Sequence, residues 1–179
     1  YCKAILCRVE RKRYLRETLL CSGISGGLAV FLPVLLSDIV WIINGEPNTG
    51  EQMGINYFTV FDGTVYGELQ FVWNGFFLVL FLLLLAFLFG ASWSVIGLCV
   101  SALIPNRYIT LAAPFALFFG AHLILYRLDK PLLFSPANVL MPATDFIPFP
   151  AFPLLYQLGM LALASALCWK LLERRLRDV

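Results

Sequence analysis

Long runs of apolar residues, separated by short polar segments, divide this chain into four parts. The longest run, residues 71–104, has no charged side chain along 34 positions. A helix needs about 20 mostly apolar residues to cross roughly 30 Å of hydrocarbon. The pattern therefore predicts an all-α polytopic membrane protein in which residues 18–172 form the transmembrane domain. We place the four spans at residues 18–43, 70–104, 108–126 and 152–172.

The first predicted span contains small residues and a proline near its middle. Gly23, Gly26 and Gly27 permit a neighbouring helix to approach closely, which stabilises helix pairs in lipid. Pro33 predicts a kink, because proline removes one hydrogen bond of the helix. Asp38 follows near the outer end, where a carboxylate can reach water, and a proton relay is the alternative role for it.

The second predicted span is longer than a bilayer requires. As one helix it would measure about 51 Å, so we expect it to project beyond the membrane. A strong tilt, or a break at Gly90 or Gly97, is the alternative. The segment 104–108 that follows is very short, which predicts that the second and third spans form an antiparallel hairpin.

Residues 128–153 form the most irregular segment. Six prolines exclude a continuous helix there, yet the segment is apolar, unlike a freely solvated loop. Ser135 followed by Pro136 is typical of a helix start and predicts a short helix near 136–141. We therefore expect an external re-entrant segment whose backbone groups are satisfied by protein or trapped water.

Composition and charge placement define the setting and the orientation. Hydrophobic residues make up 60% of the chain and charged residues 13%, against about 25% charged residues in soluble domains. Of 13 Lys and Arg residues, six precede the first span, one lies between the second and third, and four close the chain, leaving Arg127 and Lys130 on the other side. The positive-inside rule then places both termini, including a basic tail at 173–179, in the cytoplasm of a multi-pass cell-membrane protein. The loop at 44–70 would be external. Because the chain begins at Tyr1, we expect it to be a fragment of a longer protein.

Residues 1–17 begin weakly amphipathic and end strongly basic, which predicts a helix at the cytoplasmic interface. Two interpretations remain open. A basic flank can bind lipid headgroups beside any first span, or it can be a coupling surface for a cytoplasmic partner. Basic charge beside a membrane does not indicate nucleic-acid binding. The candidate coupling residues are Arg8, Arg11, Lys12, Arg13, Tyr14 and Arg16.

One pattern suggests catalysis. Residues 23–26 match the G-x-S-G pattern of rhomboid intramembrane proteases, and the single histidine, His122, lies in a later span. With the span limits above, Ser25 lies about 10 Å and His122 about 21 Å from the cytoplasmic side, whereas a nucleophile needs its base within about 3 Å. We therefore expect His122 to be a polar residue in helix contacts or facing a lumen. An intramembrane serine protease is a remote alternative, which equal depths would support.

No other pattern indicates an enzyme. The sequence has no G-x-x-x-x-G-K-[ST] phosphate-binding loop and no E-x-x-H or H-x-x-x-H pair. Its five cysteines form no C-x-x-C motif, so neither a zinc site nor a disulfide is expected. We predict no catalytic residue, cofactor or metal in this chain.

The order of these parts resembles the C-terminal two-thirds of a type-2 ABC exporter permease of bacteria. A basic helix, a glycine-rich span and an external loop are followed by a span ending at Pro105-Asn106-Arg107, and a segment with Ser135-Pro136 precedes the last span. The resemblance implies that the spans are the family's third to sixth and that residues 1–17 carry the coupling region. It also implies a plasma-membrane exporter that works as a permease dimer, with ATP hydrolysis on a separate cytoplasmic ATP-binding subunit. A non-transporting scaffold or sensor subunit is the alternative.

Overall fold

The computed structural model describes residues 11–44, 66, 76–104, 106–127, 134–140, 147 and 149–177. Within these ranges the chain forms five helices and no strand: α1 (Arg11–Asn44), α2 (Phe76–Leu103), α3 (Arg107–Arg127), α4 (Pro136–Leu140) and α5 (Phe152–Arg177). Four of them are long and apolar enough to span a membrane, over Lys12–Val40, Phe76–Leu103, Tyr108–Arg127 and Phe152–Arg175. The predicted all-α fold with four membrane-spanning helices is confirmed.

The first long helix begins earlier than the sequence predicted. α1 runs unbroken from Arg11 across the expected boundary at residues 17 and 18, and it continues through Pro33. Its first turns are rich in charged helix formers, and Arg13 pairs with Glu17 one turn further on at 2.8 Å. The basic residues from Arg11 onward therefore form the first turns of the first span, instead of a separate interfacial helix.

α2 is continuous through both of its glycines. The break considered at Gly90 or Gly97 does not occur, because a broken helix would leave backbone N–H and C=O groups without partners in lipid. The helix has 28 residues, a length of about 42 Å at 1.5 Å per residue. Residues 70–75, which the sequence assigned to the same span, lie outside the described residues.

α1 and α2 are antiparallel and cross at two glycines. A Cβ atom on Gly26 would lie 2.7 Å from the carbonyl oxygen of Gly90, and one on Gly90 would collide with the backbone of Gly26. One turn away, Ser94 Oγ donates a hydrogen bond to the Ser22 carbonyl at 2.8 Å, and the two hydroxyls lie 3.0 Å apart. The small side chains thus bring the two backbones together, as the glycines of the first span predicted.

The turn between α2 and α3 is capped by Asn106. Its side-chain Oδ1 accepts a hydrogen bond from the backbone N–H of Tyr108 at 3.0 Å, which satisfies one of the free donors at the start of α3. α3 then runs back along α2, so that a Cβ atom on Gly97 would lie 3.5 Å from the ring of Pro114. The predicted antiparallel hairpin is confirmed.

α5 is parallel to α2. Phe152, at the start of α5, packs against the cluster that contains Leu78 and Leu82 of the first part of α2. Cys99, near the end of α2, donates to the carbonyl of Ala164 at 3.5 Å. The start of α1, the end of α2, the start of α3 and the end of α5 therefore share one end of the bundle. We call this the basic end and the opposite one the distal end.

α2 is the centre of the bundle. α1, α3 and α5 each pack against it. Half of the most apolar stretch of α2 is buried, whereas none of the corresponding stretch of α3 and 6% of that of α1 is buried. The outward faces of α1 and α3 are therefore apolar and open, as expected for helices that face lipid.

At the distal end, the described part of the proline-rich segment, residues 128–153, packs onto the bundle. The predicted short helix forms as α4 and contacts α2, α3 and α5. Ile147 is buried in a cluster with Leu78, Leu82 and Tyr66. Tyr66 donates its hydroxyl to the Pro150 carbonyl at 2.8 Å, and burial raises the pKa of this phenol, so it remains a donor. Apart from Asn44 and Tyr66, the loop at 44–70 lies outside the described residues.

Candidate functional site

Basic side chains collect at one end of the bundle. Among the described residues, this end carries six cationic side chains, three from each of two helices, whereas Arg127 lies at the distal end. The two helices bring these charges together because α1 and α5 both pack against α2 with these ends aligned. The result is a surface of positive potential at one end of an apolar bundle. The six residues are Lys12, Arg13, Arg16, Lys170, Arg174 and Arg175.

The first turns of α1 point their charges outward. Lys12, Arg13 and Arg16 are exposed, while Leu15 between them is buried to 1% exposure. Burial of Leu15 fixes the rotation of the helix, so the basic face cannot turn inward without exposing that side chain. Arg13 Nε forms a salt bridge with Glu17 Oε1 at 2.8 Å, and both side chains are exposed.

The other candidate coupling residues are described only in part. Tyr14 is half-buried beside the exposed basic face. Arg8 and the side chain of Arg11 lie outside the described residues. The structure thus groups Lys12, Arg13 and Arg16 on one exposed helix face.

Arg175 has a role that the sequence analysis missed. Its Nη1 donates a hydrogen bond to the carbonyl oxygen of Ser101 at 2.9 Å. Ser101 lies in the last turn of α2, where backbone carbonyls lack helical partners and cations are favourable. Arg175 therefore fastens the end of α5 to the end of α2. In the sequence, Arg175 was one of several basic residues in the tail, and these were used only to predict the orientation in the membrane.

An apolar cleft opens at the basic end between α3 and α5, with α2 as its floor. Its volume is about 470 Å³. Lys170 and Arg174, one helical turn apart on α5, lie at the wall of the cleft, and both side chains are exposed. The apolar lining comprises Ile96, Cys99, Val100, Leu103, Leu117, Ala164, Leu167 and Leu171. The cleft could not be predicted from the sequence, because its lining has the same composition as a lipid-facing surface.

Ser25 and His122 are not partners. The Ser25 hydroxyl donates to the Ser22 carbonyl at 3.1 Å, and His122 Nδ1 lies 2.8 Å from the hydroxyl of Ser135. α1 packs on α2 through Phe31 and Phe87, whereas Phe118 of α3 packs on Phe89 and Trp93, on another side of α2. The distance between hydroxyl and imidazole that a serine nucleophile needs is therefore not provided.

The difference in depth predicted between these two residues was wrong. Because α1 begins at Arg11, Ser25 lies 14 residues into its helix and His122 lies 15 residues into α3. Their contacts with α2 give the depths directly, because Gly26, next to Ser25, is level with Gly90, and Pro114, eight residues before His122, is level with Gly97. Ser25 and His122 then lie about 18 and 21 Å from the end of α2 at the basic end. The equal depth that would support a protease is present, but lateral separation and other hydrogen bonds keep the two groups apart.

His122 instead fastens the proline-rich segment to α3. Its partner Ser135 is fully buried immediately before α4, and the Tyr156 hydroxyl donates to the neighbouring Phe134 carbonyl at 3.1 Å. His122 thus has a polar partner within the bundle. The sequence could not name Ser135 as the partner, since it lies 13 residues away in an irregular segment.

Asp38 and Gln157 are the remaining polar groups in the helical bundle that bear on function. Asp38 is half-buried near the distal end of α1 and contacts neither His122 nor any cation among the described residues. Gln157 of α5 is 2% exposed, and its side chain forms no hydrogen bond with a described residue. Within the described part of the chain, no three His, Cys, Asp or Glu side chains are placed to hold a metal ion.

The fold and these surfaces define a multi-pass helical membrane protein with a strongly basic end and an apolar cleft that opens there. No protein-family profile, curated protein or solved structure matches this chain.

Proposed function

We propose that this chain is the membrane-spanning permease part of an ATP-driven exporter of the type-2 ABC class. Its termini would lie in the cytoplasm of a bacterial plasma membrane, and ATP hydrolysis would occur on a separate chain. The observation that carries the proposal is the exposed basic face of Lys12, Arg13 and Arg16 on turns that are continuous with the first span.

Continuity of α1 gives a physical route for coupling. A partner that displaces the first turns of α1 displaces the same rigid helix at Gly26, where α1 and α2 are in backbone contact. Interdigitated helices move as discrete bodies, because close backbone contact leaves no room for gradual deformation. Motion at the basic end would therefore alter the α1–α2 contact within the membrane.

The open apolar faces support a dimeric assembly in lipid. None of the most apolar stretch of α3 and little of that of α1 is buried within one chain. Lipid tails and a second copy would cover these faces together, and the resemblance in organisation implies a substrate path between the two copies. A scaffold or sensor subunit would share this fold but would bind no ATPase.

The experiment reverses the charge of the basic face. Changing Lys12, Arg13 and Arg16 together to Glu should weaken ATPase binding by roughly five- to a hundred-fold, since each exposed pair contributes little alone. The full-length protein is purified in mild detergent from its native cells, and ATPase activity that co-purifies is measured per mole of chain.

A charge-preserving variant is the matched control. Lys12→Arg, Arg13→Lys and Arg16→Lys together keep all three charges, so this protein should retain its ATPase. Orientation in the membrane is checked first in both variants, because these residues also direct insertion. Failure of the native protein to co-purify any ATPase would favour the scaffold. Undiminished binding by the Glu variant would assign the basic face to lipid headgroups.

A further inference from the structure

The cleft at the basic end separates α3 from α5. At the distal end, α4 occupies the corresponding position and contacts α2, α3 and α5 together. At the basic end the described residues place no such element, and α3 and α5 leave part of α2 uncovered at Ile96, Val100 and Leu103. A dry gap would deprive these side chains of dispersion contacts, which favours an apolar occupant.

We propose that the cleft binds one anionic phospholipid of the leaflet at the basic end, with an acyl chain against α2 and its phosphate on Lys170 and Arg174. The volume of about 470 Å³ lies within the roughly 300–1,000 Å³ typical of ligand sites. This inference does not depend on the transport proposal, since any membrane protein of this shape could use such a site.

The charges at the cleft supply the specificity. Apolar contacts alone cannot select a lipid, because an acyl chain is equally at home in the bilayer. Lys170 and Arg174 stand one turn apart on the same face of α5, and neither forms an ion pair among the described residues. The neighbouring Arg175 is directed to the Ser101 carbonyl instead. Two cations are thus available beside the cleft, and a guanidinium and an ammonium together suit a phosphate group.

A second copy of the chain fits the cleft less well. Two copies in one membrane share their orientation, so a symmetric contact here would bring Lys170 and Arg174 of both copies to the same depth. Like charges facing one another at an interface are unfavourable. An anionic lipid has the opposite charge at the required depth.

The test measures lipid binding to the full chain by native mass spectrometry, in detergent with added phosphatidylglycerol or phosphatidylcholine. We expect the native protein to retain one phosphatidylglycerol with at least about tenfold preference over phosphatidylcholine. Lys170→Gln with Arg174→Gln should remove most of that preference. Lys12→Gln with Arg16→Gln is the matched control, because it removes two charges from the same end but away from the cleft, and it should keep the preference.

A filled cleft provides the second arm. Val100→Trp should lower phosphatidylglycerol binding without changing any charge, and Leu167→Trp is the alternative if the first variant does not fold. Inorganic phosphate at millimolar concentration should not displace the lipid, since it has no acyl chain. Equal losses in both Gln pairs, or unchanged binding in the folded Trp variants, would overturn the site.

Discussion

Single glycines decide how closely the two first long helices approach. At Gly26 and Gly90 the backbones are near enough that a Cβ on either residue would meet the other helix. In lipid this closeness is the main source of association, because apolar side chains gain nothing by leaving an apolar solvent. The contact is therefore more sensitive to one added methyl group than a contact between larger side chains would be.

Gly26→Ala should lower the free energy of unfolding by about 1–3 kcal/mol, the usual cost of overpacking. Gly120→Ala is the control, because a Cβ there has nothing within 4 Å and alanine favours a helix over glycine by about 0.5–1 kcal/mol. Unfolding in increasing sodium dodecyl sulfate, followed by circular dichroism, measures both variants. If Gly26→Ala proved as stable as Gly120→Ala, α1 and α2 would not be in close contact.

The contacts made by single residues could be predicted from the sequence only in part. Small residues in the first span correctly predicted close approach, but Gly90 was considered as a break in its helix. Glycine weakens a helix in water, whereas in lipid the backbone has no alternative hydrogen-bond partner, so Gly90 stays helical and serves the contact. The bonds of Arg175 to Ser101 and of His122 to Ser135 depend on pairs distant in sequence. Local pattern does not contain such pairs.

At the scale of elements, one hydrogen bond from Tyr66 holds the proline-rich segment in place. Tyr66 precedes α2 and is fully buried, and its hydroxyl bonds to Pro150 just before α5. This bond ties the start of α5 to the segment that precedes α2.

Tyr66→Phe should cost about 0.5–1.5 kcal/mol of unfolding free energy, the usual net value of one hydrogen bond. Tyr108→Phe is the control, since that side chain is 87% exposed. Burial raises the pKa of Tyr66 above its ordinary 10.0, so above that pH the unfolded phenol loses its proton before the folded one. Stability should therefore fall as pH rises above about 10.

The same decline with pH should be shallower in Tyr66→Phe, which has no phenol to titrate at this site. Thermal unfolding between pH 8 and pH 11 compares the two proteins and Tyr108→Phe. Parallel pH profiles for the native protein and Tyr66→Phe would show that Tyr66 is not buried.

The elements themselves were largely predictable, and their limits were not. Four long apolar runs can only be helices in lipid, and Ser135-Pro136 gave the short helix α4. The first span was predicted to start at residue 18 as a helix distinct from residues 1–17, whereas α1 runs without a break from Arg11. The basic stretch was predicted to be a separate helix that ends where the span begins, although Lys, Arg and Glu are good helix formers and can continue one helix into the headgroup region.

For the whole molecule, charge placement predicts orientation. In a variant without native cysteines, Tyr126→Cys at the distal end should react with a membrane-impermeant thiol reagent in intact cells. Lys12→Cys at the basic end should react only after permeabilisation, because the positive-inside rule assigns that end to the cytoplasm. Labelling of Lys12→Cys but not of Tyr126→Cys in intact cells would indicate the opposite orientation. Labelling of both variants would contradict the four-span arrangement.

The arrangement of the helices around α2 could not be deduced from hydropathy. All four spans read as apolar on every side, so no stripe indicates which faces meet. Connection lengths predicted that α2 and α3 are neighbours. The parallel contact of α2 with α5, and the cleft beside it, depend on contacts between residues that are distant in sequence.

The central position of α2 has a consequence for the order in which the helices pack during synthesis. Helices enter the membrane in the order in which they are synthesised, so α1 and α2 can join at Gly26 and Gly90 before the rest of the chain exists. α3 follows directly as the second arm of a hairpin. The remaining side of α2 is exposed to lipid until α5 is inserted. Only then can α4 pack against both α3 and α5. The cleft is the part of this α2 surface that stays exposed to the bilayer after α5 has packed.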